Sequence, residues 1–338
     1  MKQLCALVLL VGLLGCTRSP APDYTSTHFK VVKLTEGVYA CIHKFGGKAI
    51  CNVGIVDNGK ESIVFDTFLS PDVAAEIQNV VDHYGLSPIK FVVNSHAHND
   101  HIRGNQVFPE EVAIISTRRT AELIHQWEQQ EIPAEMEYAP PMVSHYDSLI
   151  QHFHGDTSGR AYKKLTMWLP YYQTLAESHL KVRTRLPDLI MEDSLVLDGP
   201  HRKVRLIDRG AGHTESDAML FLPDDQIIFA GDLVFEEMHP YMGHGHPASW
   251  IAYLEYMESL RFQTLVPGHG ELCGRKAITA MKSYIHDMEM LAIEMIREGM
   301  GVDQTPEIHI PDAYQDWWFE NFFVSNLRFV FSNLEEQD

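Results

Sequence analysis

The chain has 338 residues, of which 45% are apolar and 22% charged, and this ordinary globular composition permits one large domain or two. A formal net charge of −19 argues against binding to nucleic acid, because that function needs Lys and Arg side chains facing phosphates. The acidity is typical of a solvated surface. We therefore expect a small-molecule substrate as the partner and no nucleic acid, while the sequence leaves the oligomeric state open.

Residues 1–15 are predicted to be a signal peptide, because the apolar run over residues 4–15 is too short to cross a bilayer as a helix. The Leu-Leu-Gly-Cys sequence at residues 13–16 resembles a bacterial lipobox. That resemblance implies cleavage before Cys16, a lipid on this residue, and a lipidated tether over residues 16–28. The protein would then be exported and anchored to a bacterial membrane, facing the periplasm or the cell exterior. A plain secretory signal is the alternative.

Residues 29–66 have the pattern of short strands separated by turns. The predicted strands are 31–34, 38–42, 50–56 and 62–65. Cys41 and Cys51 flank a predicted hairpin, and a three-residue turn over residues 45–47 would place them directly opposite each other. A disulfide at this position and two reduced core cysteines are equally compatible with the pattern, since export permits disulfides.

The middle of the chain is predicted to alternate between helix and strand before it becomes helical. Residues 71–84 are predicted to be a helix from the spacing of their apolar side chains, and residues 89–94 are the next predicted strand. A β-rich start followed by alternating helix and strand predicts an α/β layered fold. Residues 118–190 differ, and we interpret them as a helical insertion in which Pro140 and Pro141 interrupt two helical patterns.

Strands are predicted again at residues 194–197 and 204–207, and the chain turns helical beyond residue 270. Residues 276–297 show helical spacing of apolar side chains. The final segment, residues 317–334, is rich in aromatic side chains. A stripe of this kind favours core packing over direct contact with a substrate.

Directly after the strand 89–94, the residues His96, His98, Asp100 and His101 place three imidazoles and a carboxylate within six positions. These groups are ligands of Zn²⁺ and, less selectively, of iron or manganese. In an extended loop the first two histidines project to one side, while Asp100 and His101 can reach a second point. One loop could therefore serve two adjacent metals, which suggests hydrolysis. The alternative is an adventitious metal-binding run of histidines.

Three later segments repeat one arrangement, in which a strand is followed by a metal-type residue beside glycine. His213 follows the strand over residues 204–208, Asp232 ends the one over residues 227–230, and His269 follows Val266-Pro267. Open α/β sheets build their sites at the carboxyl ends of strands, and glycine allows the sharp turns that bring such ligands together.

The motifs HxHxDH, GHT, GD and GHG, in this order, resemble the metallo-β-lactamase fold superfamily over about residues 29–272. The resemblance implies a four-layer αββα sandwich carrying the insertion at 118–190 and a C-terminal helical extension over 273–338. It implies two Zn²⁺ ions per chain. The first would be bound by His96, His98 and His213, the second by Asp100, His101 and His269, with Asp232 bridging both.

The chemistry that follows is attack of a hydroxide on a carbonyl. A water shared by two metals ~3.5–4 Å apart is deprotonated near neutral pH, because its pKa falls from ~15.7 towards ~7. Asp100 beside this hydroxide is expected to orient it and to move a proton. Asp66, after the strand 62–65, corresponds to an acid that hydrogen-bonds the metal loop in similar proteins, with helix capping as the alternative. Thr214 is expected to support His213.

The segment that follows Asp232 would lie over the metals. Its candidate substrate contacts are His239, Tyr241, His244 and His246. Three further histidines, His145, His152 and His154, belong to no such pattern and are interpreted as ordinary polar residues.

Asp232 also bears on the choice among activities of the superfamily. True β-lactamases often carry Cys or Ser at this position, and Asp looks more like glyoxalase II, lactonases and other two-metal members. The Gly-Cys-Gly-Arg stretch of glyoxalase II and persulfide dioxygenases is absent from this sequence. We therefore expect a dinuclear-zinc hydrolase of an ester, lactone, thioester or amide. The alternatives are a β-lactamase, a mononuclear iron oxygenase on the same scaffold, or a non-catalytic binding protein.

Overall fold

The structure is a computed structural model that describes residues 23–335. The predicted signal peptide, residues 1–15, and the predicted lipid site at Cys16 lie outside the described residues and stay predictions. Within residues 23–335, none of the helices combines the length and the apolar character needed to cross a bilayer.

The first half of the chain forms one sheet. Its strands are β1 (Phe29–Thr35), β2 (Val38–His43), β3 (Val53–Asp57), β4 (Ser62–Phe65), β5 (Ile89–Val93), β6 (Ala113–Thr117) and β7 (Leu189–Met191). They lie side by side in chain order. The pairs from β1 to β4 are antiparallel, and those from β4 to β7 are parallel. The predicted strand at residues 89–94 is confirmed.

The second half forms the other sheet. Its strands are β8 (Ser194–Asp198), β9 (Lys203–Asp208), β10 (Ala218–Leu222), β11 (Ile227–Phe235) and β12 (Thr264–His269). The spatial order is β12-β11-β10-β9-β8, and only β11 and β12 pair in parallel.

Helices complete the layers. They are α1 (Pro71–Ala74), α2 (Glu76–Tyr84), α3 (Asn99–Ile102), α4 (Arg118–Gln151), α5 (Arg160–Ala176), α6 (Ser178–Lys181), α7 (Pro247–Ser259), α8 (Arg275–Arg297) and α9 (Asn321–Glu335). Helices α1 and α2 cover the outer face of the first sheet, while α7, α8 and α9 cover that of the second.

The period of two along a strand explains the layers. In β2, Val38, Ala40 and Ile42 point into the core between the two sheets. Tyr39 and Cys41, which alternate with them, belong to the core beneath α2. Both faces of the strand are therefore apolar because both are covered. The predicted four-layer αββα sandwich is confirmed.

Helix α4 runs through Pro140 and Pro141, so the predicted interruption at these residues is wrong. Both prolines, and Pro133 before them, are exposed, and the carbonyl groups that lose a helical partner there can bind water. The opposite face of α4 buries Glu135 and Ala139, and α4 packs along α5. Packing on the buried side thus maintains a helix that local sequence disfavours.

The predicted opposition of Cys41 and Cys51 is also wrong, because Cys41 pairs with Val53 across β2 and β3. The strand begins three residues later than predicted, since Ile50 adopts a left-handed backbone with φ of 71° that cannot continue a strand. Both cysteines are buried and free. The Cys51 thiol donates to the Asp100 carbonyl at 2.8 Å.

Candidate metal centre

The histidine-rich segment follows β5 and ends in the single turn of α3, at the seam between the two sheets. The Ser95 carbonyl accepts a hydrogen bond from the Ala218 N–H in β10 at 2.7 Å, which ties the segment to the second sheet. The Thr67 N–H, just after β4, donates to the His101 carbonyl at 3.0 Å. The segment is therefore held from both halves of the fold.

Three histidine rings converge in the first group of ligand-type atoms. His98 Nδ1 lies 3.0 Å from His96 Nε2 and 3.1 Å from His213 Nε2. Two nitrogens that bind one Zn²⁺ tetrahedrally lie roughly 3.3 Å apart, given Zn–N distances of about 2.0–2.1 Å. The arrangement is close to the one a single ion needs.

A second group lies beside the first and contains Asp100, His101 and His269. Asp100 Oδ2 is 3.3 Å from His269 Nε2 and 3.6 Å from His101 Nε2. His269 is the last residue of β12, as the strand-end pattern predicts. One carboxylate and two imidazoles thus face a common point.

Asp232 stands between the two groups. Its Oδ2 lies 3.4 Å from Nε2 of both His213 and His269, and its Oδ1 lies 3.1 Å from His101 Nε2. It does not end its strand, contrary to the sequence pattern, because β11 continues to Phe235. Gly268 of the neighbouring strand allows this position, since a Cβ there would lie 1.9 Å from Asp232 Oδ1.

Asp66 holds the histidine-rich segment in place through contacts with Ser95 and His101. Its Oδ1 accepts the Ser95 N–H at 2.8 Å, and its Oδ2 accepts the Ser95 hydroxyl and lies 2.8 Å from His101 Nδ1. The residue adopts φ of 64°, and α1 begins only after Ser70, so Asp66 does not cap that helix. Its contacts are those expected of an acid that orients a ligating histidine.

Thr214 acts on the backbone of its loop. Its N–H and hydroxyl donate to the Asp217 carboxylate at 2.8 and 3.1 Å. Burial raises the pKa of Asp217 to about 7, although the Thr214 bonds favour the ionised form. Thr214 and Asp217 therefore hold the turn that carries His213, whose Nδ1 has no hydrogen-bond partner among the described residues.

Burial determines the protonation state of the three histidines in the first group. It lowers the pKa of His96 and His98 well below the usual value and that of His213 to about 4, because the charged ring loses its hydration. All three rings are neutral at neutral pH. A neutral imidazole is the form that binds a metal.

The second group is ionised. Burial alone would lower the pKa of His269, but the carboxylates of Asp232 and Asp100 raise it to about 9. Burial alone would likewise raise the pKa of Asp100, whereas the charges on His101 and His269 lower it to about 2. Protons on His101 and His269 supply positive charge that balances the carboxylates of Asp100 and Asp232. A bound metal cation would supply that charge instead.

Two buried polar atoms without hydrogen-bond partners among the described residues support a metal ion at this position. His101 Nε2 and Asp232 Oδ1 are buried and face each other at 3.1 Å, yet neither makes a hydrogen bond of acceptable geometry within residues 23–335. Buried polar atoms without partners are costly in a folded protein. A metal ion between them would satisfy both, so this donor set fits a metal.

A pocket of about 340 Å³ opens over the two groups. Of the four candidate substrate contacts, Tyr241 and His244 line it, and His239 and His246 do not. His244 Nδ1 lies 3.0 Å from His98 Nε2. His239 is buried against Tyr284, with its Nδ1 at 3.0 Å from the hydroxyl, and His246 is exposed before α7.

The walls of the pocket contain residues that the sequence did not single out. They come from the loop after β2, from α4 and α5, and from the C-terminal region, and include Phe45, Glu131, Tyr138, Trp168, Tyr171, Phe319 and Phe322. The aromatic segment 317–334 therefore has two roles, since Phe323 and Phe331 are core while Phe319 and Phe322 line the pocket. The histidines at 145, 152 and 154 are exposed.

Residues 46–269 match the model of the metallo-beta-lactamase superfamily. The chain belongs to this superfamily, whose members are mostly metal-dependent hydrolases, and the two His and Asp groups fit its use of metals. No curated protein matches the sequence.

Two solved structures share the fold. A metallo-beta-lactamase from Pontibacter korlensis is 16% identical with a TM-score of 0.53, and the match covers 76% of this chain and 99% of that chain. A double mutant of the sec-alkyl sulfatase PisA1 is 16% identical with a TM-score of 0.63, and the match covers 90% of this chain. The chain spans 50% of the length of that sulfatase.

Proposed function

We propose that the protein is a dinuclear-zinc hydrolase that cleaves an ester, lactone, thioester or amide at its carbonyl. The observation that carries the proposal is the place of Asp232, whose Oδ2 is equally close, at 3.4 Å, to a histidine of each group. A single carboxylate in contact with both groups could bridge two adjacent ions.

The ions, when bound, would supply an activated water and a Lewis acid for the carbonyl oxygen. The residues that would hold them are His96, His98, His213, Asp100, His101, His269 and Asp232. Asp100 also lines the pocket and is ionised at neutral pH, since its pKa is about 2. Its Oδ2 would orient the attacking water and accept its proton.

The nucleophile is assigned to water from the composition of the pocket. Among the described residues that line it, none is Ser, Thr or Cys. Cys51 is buried beneath the site, and burial raises the pKa of its thiol to about 12, so it stays protonated. These observations support direct hydrolysis without a covalent acyl-enzyme.

Elemental analysis of protein purified without oxygen tests the metal assignment. Two zinc ions per chain are expected, and one iron with no zinc would overturn the proposal in favour of an oxygenase. The zinc-loaded protein should then be assayed against esters, lactones, thioesters, lactams and phosphoesters. Turnover of a carbonyl substrate that stops on chelation supports the proposal, and turnover restricted to phosphoesters contradicts it.

A further inference from the structure

The pocket has a continuous aromatic side, which we call the aromatic wall and define as Trp168, Tyr171, Tyr241, Phe319 and Phe322. The first two residues belong to α5, Tyr241 follows β11, Phe319 lies just before α9, and Phe322 lies in its first turn. Three distant parts of the chain thus contribute rings to one surface. The metal-facing residues His98, Asp100 and His269 form the floor of the same pocket.

Trp168 contacts both phenylalanine rings of the wall edge to face. Trp168 lies 5.4 Å from Phe319 and 6.1 Å from Phe322, at interplanar angles of 70° and 85°. Phe319 reaches the floor, with its ring centroid 6.4 Å from that of His269. These ring contacts therefore connect the aromatic wall to His269, one of the candidate metal ligands.

Positive charge is scarce along this surface. Lys44 is the one Lys or Arg among the described residues that line the pocket, and its Nζ donates to the Ser26 carbonyl at 2.6 Å. Arg103 is buried and paired with Glu128 and Glu135, so it does not face the pocket.

The two histidines of the side walls are occupied by neighbouring protein atoms. His43 Nε2 accepts the Gly270 N–H at 3.3 Å, and His244 Nδ1 lies 3.0 Å from His98 Nε2. Glu131 is the acid on the side wall, and burial raises its pKa to about 7. The aromatic wall thus offers no cationic partner for an anion, and Glu131 beside it adds negative charge when it ionises.

We propose that the aromatic wall binds an uncharged, apolar group of the substrate, of the size of a phenyl ring, and rejects an anionic group at that position. The proposal rests on the proposed function, because the floor of the pocket is taken as the metal site. An aromatic ring is favoured since it replaces water against five aromatic side chains, whereas a carboxylate there would lose hydration without a compensating partner. The pocket volume, about 340 Å³, suits a small ligand.

Hydroxamic acids test the wall without any turnover, since the hydroxamate group chelates a metal and leaves its tail free. We would measure binding of acetohydroxamic acid and of phenylpropanohydroxamic acids with a para-methyl or a para-carboxylate group to the zinc-loaded protein by calorimetry. The para-methyl compound is expected to bind about 10- to 100-fold more tightly than acetohydroxamic acid. The para-carboxylate compound should lose at least about tenfold relative to the para-methyl compound.

Variants of the wall make the test specific. Trp168→Ala should remove most of the advantage of the para-methyl tail, and Phe322→Arg should raise the affinity of the para-carboxylate tail. Tyr162→Ala is the control, because Tyr162 lies on the same helix outside the pocket and contacts Phe153. Binding of acetohydroxamic acid should be unchanged in all three.

The outcomes separate the two proposals. If acetohydroxamic acid binds but the three tails show no preference, or if the carboxylate binds best, the inference on the wall is overturned and the metal site stands. A para-trimethylammonium tail that binds more tightly than para-methyl overturns it in favour of a cationic substrate. If no hydroxamate binds to the zinc-treated protein, the proposed function fails and the inference fails with it.

Discussion

At the residue scale, each imidazole of the histidine-rich segment has a partner at the ring nitrogen that faces away from the candidate metal centre. His96 Nδ1 lies 2.9 Å from the Ser95 hydroxyl, His98 Nε2 lies 3.0 Å from His244, and His101 Nδ1 lies 2.8 Å from Asp66. Such partners fix the tautomer and the orientation of a ligating ring. The rings are thus oriented for a metal before one binds.

Replacement of Asp232 tests the bridge. In Asp232→Ala the two groups lose their shared carboxylate, so we expect a folded protein with lost or uneven metal content and hydrolysis reduced by orders of magnitude. Metal per chain, circular dichroism and turnover measure these effects. Asp224→Ala is the control, because Asp224 is an exposed acid in the turn before β11. Unchanged metal content and turnover in Asp232→Ala would refute the bridging role.

His244 gives a prediction for a residue that binds no metal itself. It holds His98 Nε2 at 3.0 Å and stacks on Trp127 with ring centroids 4.3 Å apart. His244→Ala should weaken binding of one zinc ion by about 10- to 100-fold, as loss of an orienting partner does. Competition with a chelating dye measures the affinity.

His246→Ala is the matched control for that variant, because His246 is exposed two residues further on and does not line the pocket. Equal losses of affinity in the two variants would show a general effect of the loop. No loss in His244→Ala would show that His98 needs no support from its neighbour.

At the scale of elements, a buried ion cluster joins α4 to the end of α3. The Arg103 guanidinium donates to Glu128 at 2.9 Å and to Glu135 at 2.8 Å, and all three side chains are almost fully buried. The same helix supplies Glu131 and Tyr138 to the pocket. The cluster therefore holds a wall of the pocket against the metal loop.

Removal of one carboxylate from this cluster should destabilise the protein strongly. Glu135→Ala leaves part of the Arg103 charge buried without a partner, for which the expected loss is about 3–5 kcal/mol of unfolding free energy. Denaturant unfolding measures it. Glu137→Ala, at an exposed position of the same helix, should change stability by less than about 0.5 kcal/mol. Equal stability of the two variants would contradict a structural role for the cluster.

Elements with a clear sequence period were predicted well. The predicted helix 276–297 differs by one residue from α8, because its apolar spacing reflects a single buried face. Helix α4 was not predicted through Pro140 and Pro141, since the packing that maintains it depends on α5 and on Arg103, which are not local. Where local helix propensity and tertiary packing favour different structures, as in α4, tertiary packing determines the structure.

The residues of the candidate site also divide into those that the sequence predicted and those that it did not. Residues such as His96 and His269 were predicted from short motifs at strand ends, and the structure brings them together in the two groups. Trp168 and Phe319 were not, because an aromatic side chain at helical spacing looks the same whether it faces a core or a cavity. The floor of the pocket was therefore predictable, and its walls were not.

At the scale of the whole molecule, the sandwich has cores that do not involve the metal centre. One lies between the sheets, and one lies under the helices on each outer face. Chelation should therefore leave the protein folded but lower its melting temperature. Zinc at 100 times its dissociation constant adds about 2.7 kcal/mol. Identical melting curves with zinc and with a chelator would argue against metal binding.

The stabilisation by zinc should also depend on pH. The raised pKa values of His101 and His269, the latter about 9, mean that both rings carry protons which a metal must displace. Proton competition weakens as pH rises, so the shift in melting temperature should be larger at about pH 8 than at about pH 6. A shift that shrinks with rising pH would contradict this assignment of protons.

The division of ligand-type residues between the sheets bears on biogenesis. Four of them, from His96 to His101, follow the first sheet's β5, while His213, Asp232 and His269 belong to the second sheet. A nascent chain that has made only its first half carries half of a centre, and no shared carboxylate. A complete set of ligand-type residues therefore exists only after both sheets have formed and packed together. We therefore expect full metal loading to report how many molecules have completed that packing.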